Sequence, residues 1–241
     1  MTGCVWKGFV EFTGILDGNY HAVSNLAKQP GNWSGNAPGT AAFITNLTQG
    51  SVLKNIAFVN YLIFALYDDG ITPMGMAVQS GFVQNNNGTI ENVLVMMTRN
   101  VDKPTGWEQS GSGLLCGSVL TWKNNGTIKD CVVYNRSGAA ENYAIAAAVN
   151  NGTIDGVYGF IKADEDGSIN VWSNWRGTYN IGMIWEQPNY GDYGSITTAI
   201  GVATSTPATN SVALTGFDDE ILLSANFNES FRALVNTYYK A

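Results

Sequence analysis

The sequence predicts an all-β chain wound as a parallel β-helix solenoid with inserted loops, closed by a short C-terminal α-helix. The first observation behind this is a ten-residue string that recurs. Residues 86–95 read NNGTIENVLV, 124–133 read NNGTIKDCVV and 150–159 read NNGTIDGVYG, and such self-similarity marks a repeat architecture. The second is composition: 28 Gly and 26 Asn stand against 6 Pro in 241 residues, an excess of turn residues that tolerate φ > 0 rather than of disorder-promoting ones. The third is the last turn-rich stretch, where Asn226 and Glu229 form a capping-box-like start and Phe231, Leu234, Val235 and Tyr238 fall on one helical face.

Looser copies of the string lie at 50–59, GSVLKNIAFV, and at 21–26, HAVSNL. Aligned on Val23, Leu53, Ile90, Ile128 and Ile154, the copies are spaced by 30, 37, 38 and 26 residues. Each spacing fits one coil of roughly 22 residues or more, with loops in the longer ones. After the anchor comes an outward position, held by Ser24, Lys54, Glu91, Lys129 and Asp155. From Lys54 onward the charges alternate in sign, so coils stacked about 4.8 Å apart give each charge opposite neighbours. Next come Asn25, Asn55, Asn92, Asp130 and Gly156, residues that accept a left-handed backbone at a corner and can hydrogen-bond along the stack. Leu26, Ile56, Val93, Cys131 and Val157 then return to the interior, and Phe58, Val95 and Val133 follow with the period of a strand. Apolar runs at 42–44, 81–83, 118–120 and 146–149 precede the turns, so a coil holds at least two strands.

The charge balance is −7, only 13% of residues are charged, and 45% are hydrophobic, which argues against a nucleic-acid binder running on phosphate contacts. The most apolar window, 52–66, carries Lys54, Asn55 and Asn60 and is too short to span a bilayer. No basic stretch, apolar run and small-residue cleavage site open the chain, so the expectation is a protein made in a cytoplasm, with no membrane contact. Cys4, Cys116 and Cys131 are an odd number without metal-ligand spacing, and buried free thiols are expected.

Residues 12–26, FTGILDGNYHAVSNL, resemble the opening coil of right-handed parallel β-helices of the pectin-lyase-like type. The GTIxNV strings resemble the Gly/Leu-rich repeats of phage virion proteins and bacterial surface adhesins. The matches cover about residues 10–160, and they are specific for fold and weak for function. They imply a β-helix domain over 1–216, with irregular aromatic-rich coils over about 161–216, where only GSIN at 167–170 and GSIT at 194–197 echo the repeat. A closing segment and amphipathic helix fill 217–241, GFDDEI at 216–221 being similar to a closing stretch of these repeats. The helix is expected to cap the open end of the stack; the alternative is docking on another protein.

An enzyme on this scaffold needs converging acids and a base. Asp68 with Asp69, Asp164 with Glu165 and Asp166, and Asp218 with Asp219 and Glu220 are contiguous runs, the pattern of loop decoration. DEDGS at 164–168 suits calcium, and an Asp-Gly turn explains it as well; no cofactor is expected. His21 is the single histidine and occupies a structural position of the resembled motif, in one turn with Asp17 and Asn19. No catalytic residue is assigned. The candidate contact surface is aromatic: Trp172, Trp175, Tyr179, Trp185, Tyr190 and Tyr193, with Arg176 among them, a set suited to packing, to a protein partner or to stacking on a cell-surface glycan. The resemblance and the lack of a catalytic cluster together imply a non-enzymatic structural component of a bacteriophage virion: a capsid decoration, tail-associated or fibre protein. Its expected partners are other capsid or tail proteins and copies of itself, a trimer being a form such proteins take. The alternatives are a fragment of a bacterial surface adhesin and a polysaccharide-degrading domain.

Overall fold

The computed structural model describes residues 4–5, 8–28, 40–63, 79–97, 117–118, 120–135, 142–161, 180–184, 208–215 and 219–239. Two parallel sheets and a C-terminal pair of helices make up the fold. The first sheet runs through Ile15–Ser24, Val52–Ile63, Thr89–Met97, Thr127–Lys129 with Val132–Asn135, Thr153–Asp155 with Tyr158–Ile161, and Ala208–Thr209 with Val212–Thr215. Cys4–Val5 joins it through Leu26–Lys28. The second runs through Phe9–Phe12, Ile44–Leu47, Val83–Asn86, Thr121–Asn124, Asn142–Asn150 and Asn180–Ile184. The chain alternates between the sheets, and each repeat lies parallel to the one before it.

Register follows the repeated strings. Leu53, Ile90, Ile128 and Ile154 stand in one row, and Lys54, Glu91, Lys129 and Asp155 in the next. The first row is buried and belongs to the core between the sheets, together with Phe43, Leu47, Phe82, Leu120 and Ile145 of the second sheet. The rings of Phe43 and Phe82 stack at 4.9 Å. Corner geometry is as expected for four of the five positions: Asn55, Asn92 and Asp130 have φ of 53, 51 and 50°, and Gly156 has 67°.

The NNG turns are held by a buried amide row. Asn86 Nδ2 donates to Asn124 Oδ1 at 2.7 Å, and Asn124 Nδ2 donates to Asn150 Oδ1 at 2.7 Å. The second hydrogen of each goes to a carbonyl, from Asn86 to Thr127 and from Asn124 to Thr153. Within the turns, Gly88 N–H donates to Asn86 Oδ1 and Gly152 N–H to Asn150 Oδ1. All three amides are fully buried, a tolerable state only with such satisfaction. The following glycine is fixed by close approach: a Cβ on Gly126 would fall on the carbonyl oxygen of Gly88, and one on Gly152 on that of Gly126. A second, exposed row repeats the device outside, with Asn125 Nδ2 donating to Asn87 and Asn151 Nδ2 to Asn125.

The structure corrects the sequence expectations at both ends of the repeat array. The first copy of the repeat is set by Leu16 and Asp17, which pair with Leu53 and Lys54; Val23 and Ser24 pair with Phe58 and Val59. A bulge between Asp17 and His21 separates the two halves, with Asn19 and Tyr20 both at positive φ, so Asn25 turns beside Val59 at a different corner. Beyond residue 160 a further copy exists that is hidden by its polar spelling: Ala208 and Thr209 extend the rows of Ile154 and Asp155, and Val212 pairs with Tyr158. The GSIN and GSIT strings lie outside the described residues.

Two helices, Asp219–Ser224 and Glu229–Tyr239, replace the one expected. Asn228 rather than Asn226 caps the longer, its Oδ1 accepting from Phe231 N–H at 2.8 Å. The pair lies along the flank of the first sheet instead of across the end of the stack. Leu222, Phe227, Phe231, Leu234 and Val235 pack on Ala57, Val59, Leu94, Met96, Val132 and Phe160, the outward residues of four successive repeats. Their alternation with core residues makes these strands continuous apolar runs, as strands covered on both faces are. The Arg232 guanidinium clasps the two helices by donating to the carbonyls of Leu222, Leu223 and Ala225, groups left open at a helix C-terminus.

The buried and exposed amide rows differ in what truncation costs. Asn124→Ala strands a buried donor on Asn86 and takes one bond each from Asn150 Oδ1 and the Thr153 carbonyl, and is expected to lower unfolding stability by on the order of 3 kcal/mol. Asn125→Ala, in the exposed row, is expected to cost under about 0.5 kcal/mol. Urea unfolding midpoints at constant slope check this, and equal losses would sink the account.

Candidate functional site

Every member of the aromatic set, Trp172, Trp175, Arg176, Tyr179, Trp185, Tyr190 and Tyr193, lies outside the described residues, as do the acids at 68–69, 164–166 and 218 and the DEDGS string. Asp219 and Glu220 are exposed in the first turn of the short helix, where acids complement the helix dipole. His21 is exposed on Ile15–Ser24, opposite Ile56. Asp17 and Asn19 do share a turn, with Asn19 N–H donating to Asp17 Oδ1 at 2.9 Å.

The polar rows of the first sheet form the most organised surface. Asp17 now heads the charge row, giving Asp17, Lys54, Glu91, Lys129 and Asp155 in strict alternation. Lys54 Nζ lies 3.4 Å from Asp17, and Lys129 Nζ lies 3.7 Å from Glu91 and 3.5 Å from Asp130. Asp130 and Glu91 beside Lys129 hold its ammonium above the usual lysine range. The Asn19 N–H and the Asn55 amide, with Lys54, hold the Asp17 carboxyl below the usual range.

One residue from this corner, Asn92 Nδ2 donates to Asn55 Oδ1 and Asn55 Nδ2 to Asp17 Oδ1, both at 3.1 Å. The amide hydrogens all point toward the N-terminal repeat, and Asn210 continues the habit by donating to Asp155. Asp130 interrupts this corner, since a carboxylate has no hydrogen to hand on. Burial pushes its carboxyl up, and the like charges of Asp155 and Glu91 add to burial against the pull of Lys129.

Cys131 is buried in the core, its thiol directed to the carbonyls of Lys129 at 3.1 Å and Ile90 at 3.8 Å, and desolvation pushes it up to about 12. Among the described residues no group of three or more His, Cys, Asp or Glu side chains is placed to hold a metal ion. No described helix is long and apolar enough to cross a membrane.

Two concave features were not legible in the sequence. A polar groove of about 520 Å³ is lined by Glu11, Asn46, Thr48, Gln49, Asn87 and Asn125, and it runs beside the NNG turns. An apolar cavity of about 180 Å³ opens at the N-terminal end of the core between Phe9, Leu16, Val23, Leu26, Phe43 and Phe58. The signal for the second was present in FVEF at 9–12, an apolar run in the first described repeat, but the bulge at 18–20 hid which residues faced the cavity.

Two expectations follow. Asp130→Asn restores the donor missing from the corner row and removes a carboxylate whose charged form is disfavoured by burial more than it is favoured by Lys129. Because that carboxyl is raised in the folded state, its charge costs stability at neutral pH and the cost disappears below the ordinary Asp range. The variant is therefore expected to melt a few degrees higher than the parent at pH 7, with the gain shrinking in scans toward pH 3. For Cys131, burial both seals the thiol from reagent and disfavours the thiolate that alkylation requires. Iodoacetamide at pH 8 is expected to leave it unmodified in the native protein and to alkylate it after denaturation, read by mass spectrometry; native labelling would overturn the buried assignment.

Compared with known proteins, the chain matches no family model, no curated protein and no solved structure.

Proposed function

We propose that the chain is a non-enzymatic structural component of a bacteriophage virion, and that its two parallel sheets are faces of one right-handed parallel β-helix. The solenoid reading is supported by the alternation of the chain between the sheets, with each strand parallel to its counterpart one repeat away. Nearest-neighbour stacking of this kind is how repeat proteins are built. The virion reading rests on the resemblance of the GTIxNV strings to those of phage proteins.

What supports a structural role over an enzymatic one is the use made of the polar side chains. Asp17, Glu91 and Asp130 take part in ion pairs across or within repeats, the turn amides bond their own copies, and the Cys131 thiol is sealed in the core. Side chains of catalytic type are thereby spent on holding the stack. A virion part assembled once, without disulfides among the described residues, benefits from such redundant bonding.

A second reading, polysaccharide contact by a surface adhesin or a depolymerase domain, is favoured by the groove of amides around Glu11 and by the aromatic set at 172–193. The two are separated by location and by activity. Purified particles digested with Glu-C and trypsin are expected to yield the peptide NVLVMMTR, residues 92–99, at tens to hundreds of copies per virion, roughly the range of decoration and tail proteins set by closed symmetry. The protein is expected to leave the size profile of capsular and plant polysaccharides unchanged. Recovery from cell envelopes and not from particles, or shortening of any polymer, would replace the virion proposal with the second reading.

A further inference from the structure

The three turns share one sequence, NNGTI, at 86–90, 124–128 and 150–154, and their second asparagines, Asn87, Asn125 and Asn151, are exposed and each followed by glycine. Beside glycine an asparagine amide is open to attack by the next main-chain nitrogen, with no Cβ in the way. Equal sequence gives the three turns equal intrinsic reactivity, so any difference in the folded protein is set by how each turn is bonded. The structure bonds them unequally. Asn125 Nδ2 donates to Asn87 Oδ1 at 2.9 Å and Asn151 Nδ2 to Asn125 Oδ1 at 3.1 Å. The side-chain nitrogens of Asn125 and Asn151 are thereby tied, and that of Asn87 has no partner among the described residues. Thr48 follows the Leu47–Asn86 pair one repeat before, and its hydroxyl serves its own turn, bonding the Phe12 carbonyl and Ser51 Oγ. The glycine nitrogens differ likewise. Gly126 N–H donates to the main-chain carbonyl of Asn86 and Gly152 N–H to that of Asn124, whereas Gly88 N–H is held by the Asn86 side chain, at 3.1 Å.

We infer that Asn87 is a site of self-modification, at which the Gly88 nitrogen displaces the side-chain nitrogen and the amide becomes a carboxylate. The Gly88 N–H gives its proton to solvent hydroxide, the N–Cγ bond forms, the Cγ–Nδ2 bond breaks, and the nitrogen leaves as ammonia. Water then opens the five-membered imide, at Cγ to give aspartate or at the main-chain carbonyl to give an iso-aspartyl link. Negative charge gathers on Oδ1 during the addition, where the Asn125 Nδ2–H already points, and a positioned donor there favours the step. Position 87 is also where the aspartate product fits. Its part in the row is to accept, which a carboxylate does, whereas aspartate at 125 or 151 lacks the hydrogen that each of those positions donates. The new carboxylate lies in the groove that Glu11, Asn46 and Gln49 line with Asn87, and it makes the chain one charge more negative than −7. The folded protein thus acquires, without an enzyme, an acidic form altered at one turn of the three. This chemistry does not depend on where the protein resides.

The full-length protein is incubated at pH 8 in heavy-oxygen water, folded and in urea, and its peptic peptides are sequenced by tandem mass spectrometry. Each opened imide keeps one heavy oxygen, so the label is assigned residue by residue. In urea the three turns are expected to label alike. In the folded protein Asn87 is expected to label about three- to tenfold faster than Asn125 or Asn151, the range that one hydrogen bond of ordinary net strength sets. Asn125 and Asn151 are expected to fall well behind their own rates in urea, since their turns must first open. Ion exchange is expected to show an acidic form growing over the same period. Asn87→Gln keeps the amide but closes a six-membered ring far less readily, and is expected to remove most of that form while melting as the parent does. Equal labelling of the three turns in the folded protein, labelling led by Asn125 or Asn151, no labelling of the folded protein, or an acidic form undiminished in Asn87→Gln would each overturn the assignment.

Discussion

Asn86, Asn124 and Asn150 sit at one position of three successive turns, and each is sealed from solvent with both amide hydrogens committed. Asparagine carries donor and acceptor on one short side chain, so a row of it satisfies itself at a spacing of one strand. No hydrophobic residue gives such a row a preferred register, and no carboxylate or ammonium repeats without repulsion. Much else depends on this constraint: the glycine two places on, whose Cβ would strike the carbonyl below, and the exact repetition of the string itself. The charged row obeys the same geometry with the opposite solution. Charges are not self-complementary, so Asp17, Lys54, Glu91, Lys129 and Asp155 alternate where the asparagines repeat.

That contrast explains what was legible in the sequence. Self-complementary positions announce themselves by identity, and the NNGTI strings accordingly give strand, turn and register without the structure. Alternating positions announce themselves by sign once the alignment is right. The first repeat escaped because three residues, Gly18, Asn19 and Tyr20, enter as a bulge and shift the apparent copy from Leu16 and Asp17 to Val23 and Ser24. Ala208 to Val212 escaped for a different reason: small and hydroxylated residues take the places of Ile, a charge and a branched apolar residue, and Thr209, Asn210 and Ser211 join the preceding repeat through polar side chains instead of apolar packing. The site was less legible than the fold. A groove or an open end is set by which repeats lack a neighbour, and no single string carries that.

The outward face of the second half of each repeat held a clue as well. Ala57, Leu94, Val132 and Phe160 alternate with core residues, yet they are apolar and buried. A strand apolar on both faces calls for a cover on each, and the amphipathic C-terminal segment is the piece of chain able to supply it. Reading that helix as an end cap considered its own face and not the face it had to match. The matching surface spans four repeats lengthwise, and the helix pair follows that length.

A helix along the flank does something that an end cap does not. In a stack of repeats each unit touches only its neighbours, so the terminal ones fray independently. Here the chain leaves the sheet at Val212–Thr215, and its last helix reaches Tyr20 and Ala22 on the first repeat. Phe227 of the same segment meets Tyr158 near the other end, ring centroids 5.2 Å apart. The first repeat and the one that ends at Ile161 are thereby bridged through one apolar cluster, and the loss of either loosens the cover over the middle. Arg232, clasped to the carbonyls that end the short helix, keeps the two helices a single unit so that the bridge holds as one piece. The arrangement turns a one-dimensional stack into a more cooperative body, because a repeat at one end cannot loosen without disturbing the helix pair that also covers the others.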